Sequence, residues 1–346
     1  MKTNSVLRLK YLVELTVGRI VSARQSRTGL ITRKALLAPL LVAASVGSLW
    51  GQCAGEVSTP ANAAGCAARQ IPQTTITRLD AKHAYTLAEL LIVAAAEAWR
   101  GNGEVLASGI GVVPRLAASL AKLTHSPELM MTDAEAYLVE EPVPLGPRGD
   151  YRPKHSGYMS FARVFDCVWG GKRHVMIGPI QIDRFGQTNL SGIGEVRKPK
   201  VQMLGMRGLP GNSISHPSSM FVPAHSPRVF VPGEVDIVGG VGYNPARWPA
   251  GASAAHVDLR LIVTDLCVMD FSGAAHAIRV RSLHPGVSLA EVQAATGFAL
   301  EAAAGLPTTP PPTSEQLKII RRLDPHELRA GVLKGNPPGV RVPKSA

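Results

Sequence analysis

Two glycines at the end of a predicted strand have the spacing to hold an anion through backbone N–H groups. Gly109 and Gly111 follow Glu104–Ser108, a stretch typical of a short buried strand, and a helix pattern opens at Pro114. A glycine turn between a strand and a helix points backbone N–H groups at a negatively charged ligand. Because Gly-x-Gly is also common in ordinary turns, the segment predicts either a phosphate or carboxylate site or a simple turn.

A second glycine-rich segment could carry similar chemistry. Gly205, Gly208 and Gly211 fall within seven residues, directly after an apolar pair. Glycine lets the backbone approach a ligand closely or adopt a conformation that other residues avoid. The spacing therefore predicts a loop that passes close to a ligand, or a strained turn.

Acidic residues follow another predicted strand. Glu128–Thr132 has the length and apolar character of a buried strand, and Asp133 and Glu135 come after it. The loop that follows, residues 140–155, is rich in proline and glycine and has no periodicity. Long loops of this kind are often functional.

The surrounding elements predict an α/β fold, with an open, mostly parallel sheet, flanking helices and some antiparallel strands. Thr86 and Glu89 form a capping box that opens an apolar helix, Leu87–Trp99. The strand, glycine turn and helix that follow are one βα unit of such a sheet. Further strands are predicted at 174–178, 228–231, 235–238, 256–263, 267–271 and 277–283, a hairpin around Gly186, and helices at 160–169, 288–296 and 314–323.

The charge of the chain gives little support to nucleic-acid binding. Of the formal net charge of +12, +7 falls in the first 80 residues, and no Lys/Arg cluster interleaved with aromatics follows. The four cysteines form no C-x-x-C and have no histidine at zinc-ligand spacing. We therefore expect no metal site and no disulfide framework, with Cys167 and Cys267 as buried thiols.

The first 80 residues differ from the rest. Arg33–Lys34 and the apolar stretch after them resemble a signal peptide, but one that starts late and is short for a membrane span. A disordered or misassigned start, a targeting segment and a folded domain all stay open, and we favour the first. The expected organisation is an extension at 1–80, an α/β domain at 81–305, a Pro/Thr linker at 306–313, a C-terminal helix at 314–330 and a disordered tail at 331–346.

Several of these segments, taken in order, resemble the β subunit of family I CoA-transferases, the group that includes glutaconate CoA-transferase. The similarity runs from about residue 85 to residue 330 and is carried by Ser108–Gly111, Gln181–Asn189, Gly205–Asn212 and Thr296–Phe298. Three further stretches are similar to the actinobacterial steroid-degradation branch, whose members open a cyclic acyl-CoA by hydrolysis. These stretches are Arg163–Phe165, Gly208–Ile214 and Ser282–Val287.

The resemblance implies a CoA-transferase (Rossmann-like) fold and an active site shared with an α subunit of the same fold, in a heterodimer or heterotetramer. It implies an acyl-CoA thioester and a carboxylic acid as substrates, with no permanently bound cofactor. A cytoplasmic enzyme without nucleic-acid or stable membrane association follows from the same family. No P-loop, complete G-x-G-x-x-G or H-E-x-x-H is present, which argues against kinase, dehydrogenase and zinc-protease activities.

The resemblance further implies a catalytic glutamate after the strand that ends near residue 132, followed by Asn-Gly or Ser-Gly. This chain has no glycine after Glu135, and the catalytic position falls on Ala134 or on Glu135. A carboxylate nucleophile would form a glutamyl thioester. Glu135 is therefore predicted as the nucleophile, while a positioning or acid/base role and a structural role stay open.

The glycine segments acquire roles from the same resemblance. Gly205, Gly208, Gly211 and Asn212 would present backbone donors to the thioester oxygen. The residues expected to contact substrate or CoA are Gly109, Gly111, Arg207 and His216.

Three functions fit this family in the catabolism of a steroid or similar alicyclic acid. The leading expectation is CoA transfer through a glutamyl thioester on Glu135. The first alternative is hydrolytic ring opening of a cyclic β-dicarbonyl acyl-CoA, with the key base on the partner subunit. The second is a non-catalytic subunit that binds CoA and completes the pocket.

Overall fold

A seven-stranded sheet lies at the centre of the part of the chain that the computed structural model describes, residues 85–134, 136–203 and 205–341. The predicted extension at 1–80 lies outside these residues. The strands are β1 (Leu106–Gly109), β2 (Tyr137–Val139), β3 (His155–Tyr158), β4 (Arg173–Ile177), β5 (Gln181–Ile182), β6 (Thr188–Asn189), β7 (Gly192–Glu195), β8 (Lys198–Gln202), β9 (Ser218–Val222), β10 (Leu259–Thr264), β11 (Cys267–Asp270), β12 (Arg279–Leu283) and β13 (Glu301–Ala302).

The strand order confirms the predicted mostly parallel sheet. The order is β1-β4-β9-β10-β11-β12-β13, and the remaining strands form three two-stranded antiparallel pairs, β2–β3, β5–β6 and β7–β8. Strands β1, β4, β9 and β10 are parallel, β11 and β12 continue antiparallel, and β13 is again parallel to β12. The carboxyl ends of β1, β4, β9 and β10 therefore share one edge of the sheet, where ligands of open α/β folds bind.

Six α-helices are found in the described residues. None of these helices is long and apolar enough to cross a membrane. They are α1 (Leu87–Ala96), α2 (Val112–Leu123), α3 (Phe161–Trp169), α4 (Leu209–Ser215), α5 (Leu289–Ala294) and α6 (Ser314–Leu323).

Helices α1, α2 and α6 pack together over one face of the sheet, which we call the first face. Every residue of α1 is buried, as its apolar sequence on all sides requires. The capping box of Thr86 and Glu89 is present at its N-terminus, as predicted. Leu90, Leu91 and Ile92 are fully buried in this core.

The first face also contains a buried ion cluster. Glu89 is 1% exposed, and its carboxylate accepts hydrogen bonds from Arg321 of α6 at 2.9 and 3.3 Å. Arg329 is also buried, 3.4 Å from Glu89, and pairs with Asp324 at 3.0 Å. A buried carboxylate needs such partners, and these contacts attach α1 to the carboxyl-terminal part of the chain.

The opposite, second face is covered mainly by loops and hairpins over a separate apolar core that includes Ile177, Ile262 and Phe230. Helix α4 packs Leu209 against this core and leads into β9. Helix α3 contacts α4, so both helices lie on this face. Helix α3 contributes only Val168 to the interior.

Two buried histidines link loops of the second face to the sheet. His225 stacks on Phe230 with ring centroids 4.0 Å apart, and its ring nitrogens bond the hydroxyls of Thr264 and Thr296 at 3.1 and 2.9 Å. His284 bonds Thr309 at 2.9 Å and the Thr264 carbonyl at 2.8 Å. Burial lowers the pKa of both histidines to about 4. Both rings are therefore neutral in the folded protein near neutral pH.

Some predicted elements differ from those in the structure. Residues 128–132 form only isolated bridges to β1 and to Leu138. The segments 228–231 and 235–238 are not strands; Phe230 makes a single bridge with Ile182. Phe230, Val235 and Ile237 of these segments are buried without a regular ladder, which an apolar pattern alone cannot distinguish from a strand.

The carboxyl-terminal segments are more closely attached than the sequence predicts. Thr308, in the expected linker, bridges Leu283, and Thr309 is buried. In the expected tail, the Pro337 carbonyl accepts from the Leu87 N–H at 2.8 Å, and the Gly339 N–H donates to the Tyr85 carbonyl at 3.0 Å. The tail through residue 341 is therefore placed against the start of α1, because an unpaired helix N–H needs an acceptor. Residues 342–346 lie outside the described part.

Candidate functional site

The turn after residue 132 is the first component of the candidate site. Thr132 bridges Leu138, and the Asp133 N–H donates to the Tyr137 carbonyl at 2.9 Å, so the chain reverses direction between them. Ala134 lies in this turn with φ +72°, a conformation that non-glycine residues rarely adopt. Glu135, the predicted nucleophile, lies outside the described residues, and its role stays a prediction.

Asp133 is the buried anchor of this turn. Its carboxylate accepts from the Tyr137 N–H at 3.2 Å and lies 3.2 Å from His155 Nε2. Tyr137 stacks on His155 with ring centroids 4.6 Å apart. The Asp133 carbonyl accepts a hydrogen bond from Arg148. The turn is thus held by the long loop that the sequence marks as functional.

Two arginines place positive charge beneath the turn. Arg115, in the first turn of α2, donates to the Thr132 carbonyl at 2.5 Å. Burial and the neighbouring Arg148 lower the pKa of Arg115 to about 10, although Asp133 opposes this shift. A guanidinium group of this pKa remains charged near neutral pH. A carboxylate or an oxyanion that forms at this turn would be stabilised by the two arginines.

The Gly109–Gly111 turn adjoins the same place. A Cβ atom on Gly109 would lie 2.2 Å from the Pro114 carbonyl oxygen, and Gly111 precedes α2 with φ +108°. Packing and backbone conformation therefore require both glycines. Because α2 carries Arg115 to the Thr132 carbonyl, the structure brings this turn and the Asp133 turn together. Contact of Gly109 and Gly111 with a ligand stays a prediction.

The second glycine segment is an exposed loop at the start of α4. Gly205 and Gly208 have φ of +96° and +78°, and a Cβ atom at Gly205, Gly208 or Gly211 would meet nothing within 4 Å. The backbone conformation, rather than crowding, therefore requires glycine at positions 205 and 208. This geometry leaves open space beside the loop, as the thioester-binding prediction needs.

Hydrogen bonds attach this loop to the segment that follows β4. The Ile180 N–H donates to the Asn189 carbonyl at 2.9 Å, and the Gly205 N–H donates to the Leu190 carbonyl at 3.3 Å. The Gly205 N–H is thus already used within the fold. The Asn212 N–H likewise donates to the Gly208 carbonyl, at 3.0 Å. The exposed side chain of Arg207 and the half-exposed side chain of Asn212 are the polar groups that this loop offers.

His216 lies at the other end of α4 from these glycines. It is 2% exposed, its Nδ1 lies 2.9 Å from the Pro217 carbonyl oxygen, and its Nε2 has no partner within the described residues. Burial lowers its pKa. His216 directly follows the helix that contains Gly211, and its contact with substrate stays a prediction.

Residues 181–189 form the predicted hairpin. Asp183 Oδ1 accepts from the backbone N–H groups of Phe185 and Gln187 at 2.9 and 3.0 Å. The Asn189 side chain is buried and bonds Gln181 at 2.7 Å. These polar residues hold the turn, as expected.

Sequence reasoning missed the three residues that hold the Asp133 turn, Arg115, Arg148 and His155. The last two belong to the Pro/Gly-rich loop, but no sequence signal pairs them with Asp133.

Cys267 is a buried free thiol as predicted, whereas Cys167 is half-buried. In the described part of the chain, no group of three His, Cys, Asp or Glu side chains could hold a metal ion.

The chain is similar to known proteins over most of this region. No protein-family model matches it. It is 42% identical over 245 residues to the cholesterol ring-cleaving hydrolase IpdB subunit of Rhodococcus jostii, and the match covers 70% of this chain and 94% of that protein. It is 32% identical over 264 residues to the B-type subunit of 3-oxoadipate CoA-transferase from Pseudomonas knackmussii, covering 70% and 94%.

The fold is similar to a solved structure of the same relatives. The crystal structure of IpdAB from Rhodococcus jostii RHA1 matches with a TM-score of 0.66 and 40% identity, over 72% of this chain and 99% of that one. Identity above 30% along almost the whole length of these relatives establishes common membership. The chain therefore belongs to the CoA-transferase family of enzymes, in the group of B-type subunits that includes those of the ring-cleaving hydrolase and of 3-oxoadipate CoA-transferase.

Proposed function

We propose that the chain is the B-type subunit of a heteromeric enzyme that opens the ring of a steroid-derived or similar alicyclic acyl-CoA by hydrolysis. The observation that carries this proposal is the 42% identity along 94% of the cholesterol ring-cleaving hydrolase subunit. In this reaction, water attacks a ring carbonyl of a β-dicarbonyl. The bond from that carbon to the carbon between the two carbonyls breaks, and the carbanion that leaves takes up a proton.

The Asp133 turn would contribute electrostatic stabilisation to this reaction. Arg115 and Arg148 hold positive charge at the Asp133 turn, through the carbonyls of Thr132 and Asp133. Negative charge develops on the carbonyl oxygen under attack, and fixed cations and N–H donors nearby lower its free energy. Glu135 would orient the water or the acyl group, while the base that activates the water belongs to the partner subunit.

The Gly205–Asn212 loop would hold the thioester end of the substrate. Its open glycines allow a ligand to approach the backbone closely, and Arg207 could meet a phosphate of CoA. The acyl-CoA is then a substrate rather than a resident cofactor. Free acyl-CoA is a cytoplasmic metabolite, so we place the enzyme in the cytoplasm.

CoA transfer through a glutamyl thioester on Glu135 is the second candidate. It is favoured by the 32% identity to a B-type subunit of a CoA-transferase. The missing glycine after Glu135 weakens it relative to hydrolysis. In transfer, the Glu135 carboxylate attacks the thioester carbonyl, and CoA leaves as a thiolate from the resulting mixed anhydride. The thiolate then attacks the Glu135 carbonyl, which forms the glutamyl thioester and releases the acyl group as a carboxylate.

Mass spectrometry of the complex after incubation with a cyclic β-dicarbonyl acyl-CoA separates the two reactions. Hydrolysis adds the mass of one water to the acyl-CoA and leaves no adduct on the protein. Transfer leaves an acyl or CoA adduct on Glu135 that Glu135→Gln abolishes. Glu140→Gln is the matched control, because Glu140 is an exposed carboxylate just beyond the turn. A complex that neither opens the ring nor forms an adduct would overturn both candidates.

A further inference from the structure

Helix α3 presents an aromatic stripe to solvent. Phe161, Phe165 and Trp169 are spaced by four residues and are 72%, 51% and 74% exposed. Side chains at this spacing lie on one side of a helix. Phe165 and Trp169 contact each other, with ring centroids 5.8 Å apart. A helix of this kind normally turns such a stripe inward, so the orientation of α3 needs an explanation.

Neighbouring elements extend the stripe. Tyr158 at the end of β3 is 66% exposed, and Ile214 of α4 is 44% exposed. Helices α3 and α4 are in contact, and the Ser215 carbonyl oxygen would lie 3.4 Å from a Cβ on Gly171. We call Tyr158, Phe161, Phe165, Trp169 and Ile214 the aromatic face.

The aromatic face is large for a surface that meets only water. At roughly 150–250 Å² for each aromatic side chain, it exposes on the order of 600 Å² of apolar surface. The largest apolar patch on a typical monomer covers about 300–600 Å² and is often functional. A stable interface buries about 800 Å² on each partner, with aromatic residues enriched. The aromatic face with its polar rim therefore has the size of one side of such an interface.

The aromatic face begins beside the candidate site. The Met159 N–H donates to the Ala136 carbonyl at 2.6 Å, which joins the start of α3 to the Asp133 turn. Arg163 and Asp166 lie between the aromatic residues on α3, both more than 65% exposed and 3.7 Å apart. This arrangement is an apolar centre with a charged rim, next to a turn that carries position 135.

We propose that the aromatic face is the docking surface for the partner subunit. This inference shares one premise with the proposed function, that the enzyme is a heteromer, as its relatives are. A partner seated there covers the exposed rings and reaches the Asp133 turn, so it can place its own side chains beside that turn. The occupant is a different chain rather than a second copy, because the relatives assemble from unlike subunits.

The test is co-purification with the A-type subunit of the same organism, with a tag on this chain only. The double variant Phe165→Glu/Trp169→Glu places two carboxylates in the centre of the face, and we expect heteromer formation to weaken by roughly 30-fold or more. Val196→Glu is the control, because Val196 is a 68% exposed apolar residue on the β7–β8 hairpin, outside the aromatic face. It should leave co-purification unchanged. An unchanged melting temperature for the isolated double variant shows that the loss does not come from misfolding.

Hydrogen exchange of the full chain identifies the occupant. The peptide that contains α3 should exchange more slowly in the complex than in the chain alone. Equal exchange of this peptide in the chain alone and in the complex would mean that the partner does not cover the face, and would overturn the proposal. A homodimer that the double variant disrupts, with the heteromer intact, would also overturn it. Activity readouts are separate: a complex that forms through this face but lacks ring-opening activity rejects the proposed function and not the docking surface.

Discussion

The two faces of the sheet differ in how the apolar side chains of their helices are covered. On the first face, α1 is apolar all round and every one of its residues is buried by the chain itself. On the second face, α3 is equally rich in large apolar residues, but only Val168 is buried and three aromatic rings face outward. Apolar surface contributes to stability only when something covers it. The first face is therefore complete within the chain, and the second is the one on which a partner can act.

The faces also differ in how they hold polar groups. The first face buries two charged groups, Glu89 and Arg329, and the half-exposed Arg321 also pairs with Glu89. The second buries neutral ones, His225 and His284, each bonded to threonine oxygens. An ion pair between a carboxylate and a guanidinium group stays charged over a wide pH range. A buried neutral histidine takes up a proton in acid, and that protonation costs free energy inside the folded protein. The two faces should therefore respond differently to acid and to substitution.

Acid should have the largest effect and should act on the second face. The pKa of His225 and of His284 is lowered by burial from 6.5 to about 4. As the pH falls, each histidine takes up a proton in the unfolded chain before it does so in the folded protein. The stability that the two neutral histidines contribute is therefore complete above pH 6.5 and is lost as the pH falls toward 4. We expect a loss of roughly 3–4 kcal/mol between pH 7.5 and pH 5. Urea unfolding at the two pH values measures it, and hydrogen exchange should rise in β10–β12 before α1.

Truncation of apolar side chains should separate the faces next. Leu91→Ala removes a fully buried side chain of α1 and should cost about 3 kcal/mol of unfolding free energy, because it leaves a cavity. Phe165→Ala removes a larger side chain, yet should cost the isolated chain less than about 0.5 kcal/mol. Thermal or urea unfolding of both variants is the measurement. Equal losses would show that the aromatic face belongs to the core of the chain.

The ion cluster of the first face should contribute somewhat less. Glu89→Gln keeps the shape of the side chain but leaves Arg321 and Arg329 without its charge, and should cost about 2 kcal/mol. The control is Glu97→Gln, because the Glu97–Arg100 pair is exposed and should contribute less than about 0.5 kcal/mol. A similar small loss for both variants would remove the distinction drawn between the faces.

The smallest expected effect is a gain of stability on the second face. Burial raises the pKa of Asp183 from 3.8 to about 6, so the folded protein favours the protonated carboxyl. The free-energy cost of ionising Asp183 in the folded protein is absent below pH 3.8. It grows as the pH rises toward 6 and is fully present above that pH. Asp183→Asn keeps the Oδ1 acceptor and should raise the unfolding free energy by about 1 kcal/mol at pH 7. The gain should shrink as the pH falls toward 4, which urea unfolding at several pH values would show.

Much of the fold could be predicted because local patterns specify it. The capping box at Thr86, the strand–turn–helix around Gly109 and the helix at 314–323 all appear as expected, since each depends on residues close in sequence. Strand β9 and helix α4 were missed. Ser218–Val222 lies between two parallel strands and is buried on both faces, so it shows no alternation.

Part of the family resemblance is carried by residues that hold the core. Thr296 bonds His225, Gly297 lies where a Cβ would meet the Phe230 carbonyl oxygen at 2.5 Å, and the Ser282 hydroxyl bonds Thr309. These residues hold the second face together rather than the Asp133 turn. Sequence similarity thus identified the family partly through its core, while Arg115, Arg148 and His155 of the candidate site were found only in the structure.

The sequence by itself determined the class of the fold and the family, because periodicity, capping and ordered motifs are local properties of the chain. Tertiary structure alone decided that Asp133 lies in a turn and which groups meet that turn. Arg115, Arg148 and His155 reach it from a helix and a loop, and the distances that join them depend on how the sheet is assembled. Tertiary structure also decided that the aromatic residues of α3 face solvent. Amphipathic spacing specifies an apolar stripe on a helix, but it does not specify which part of the chain or which partner covers that stripe.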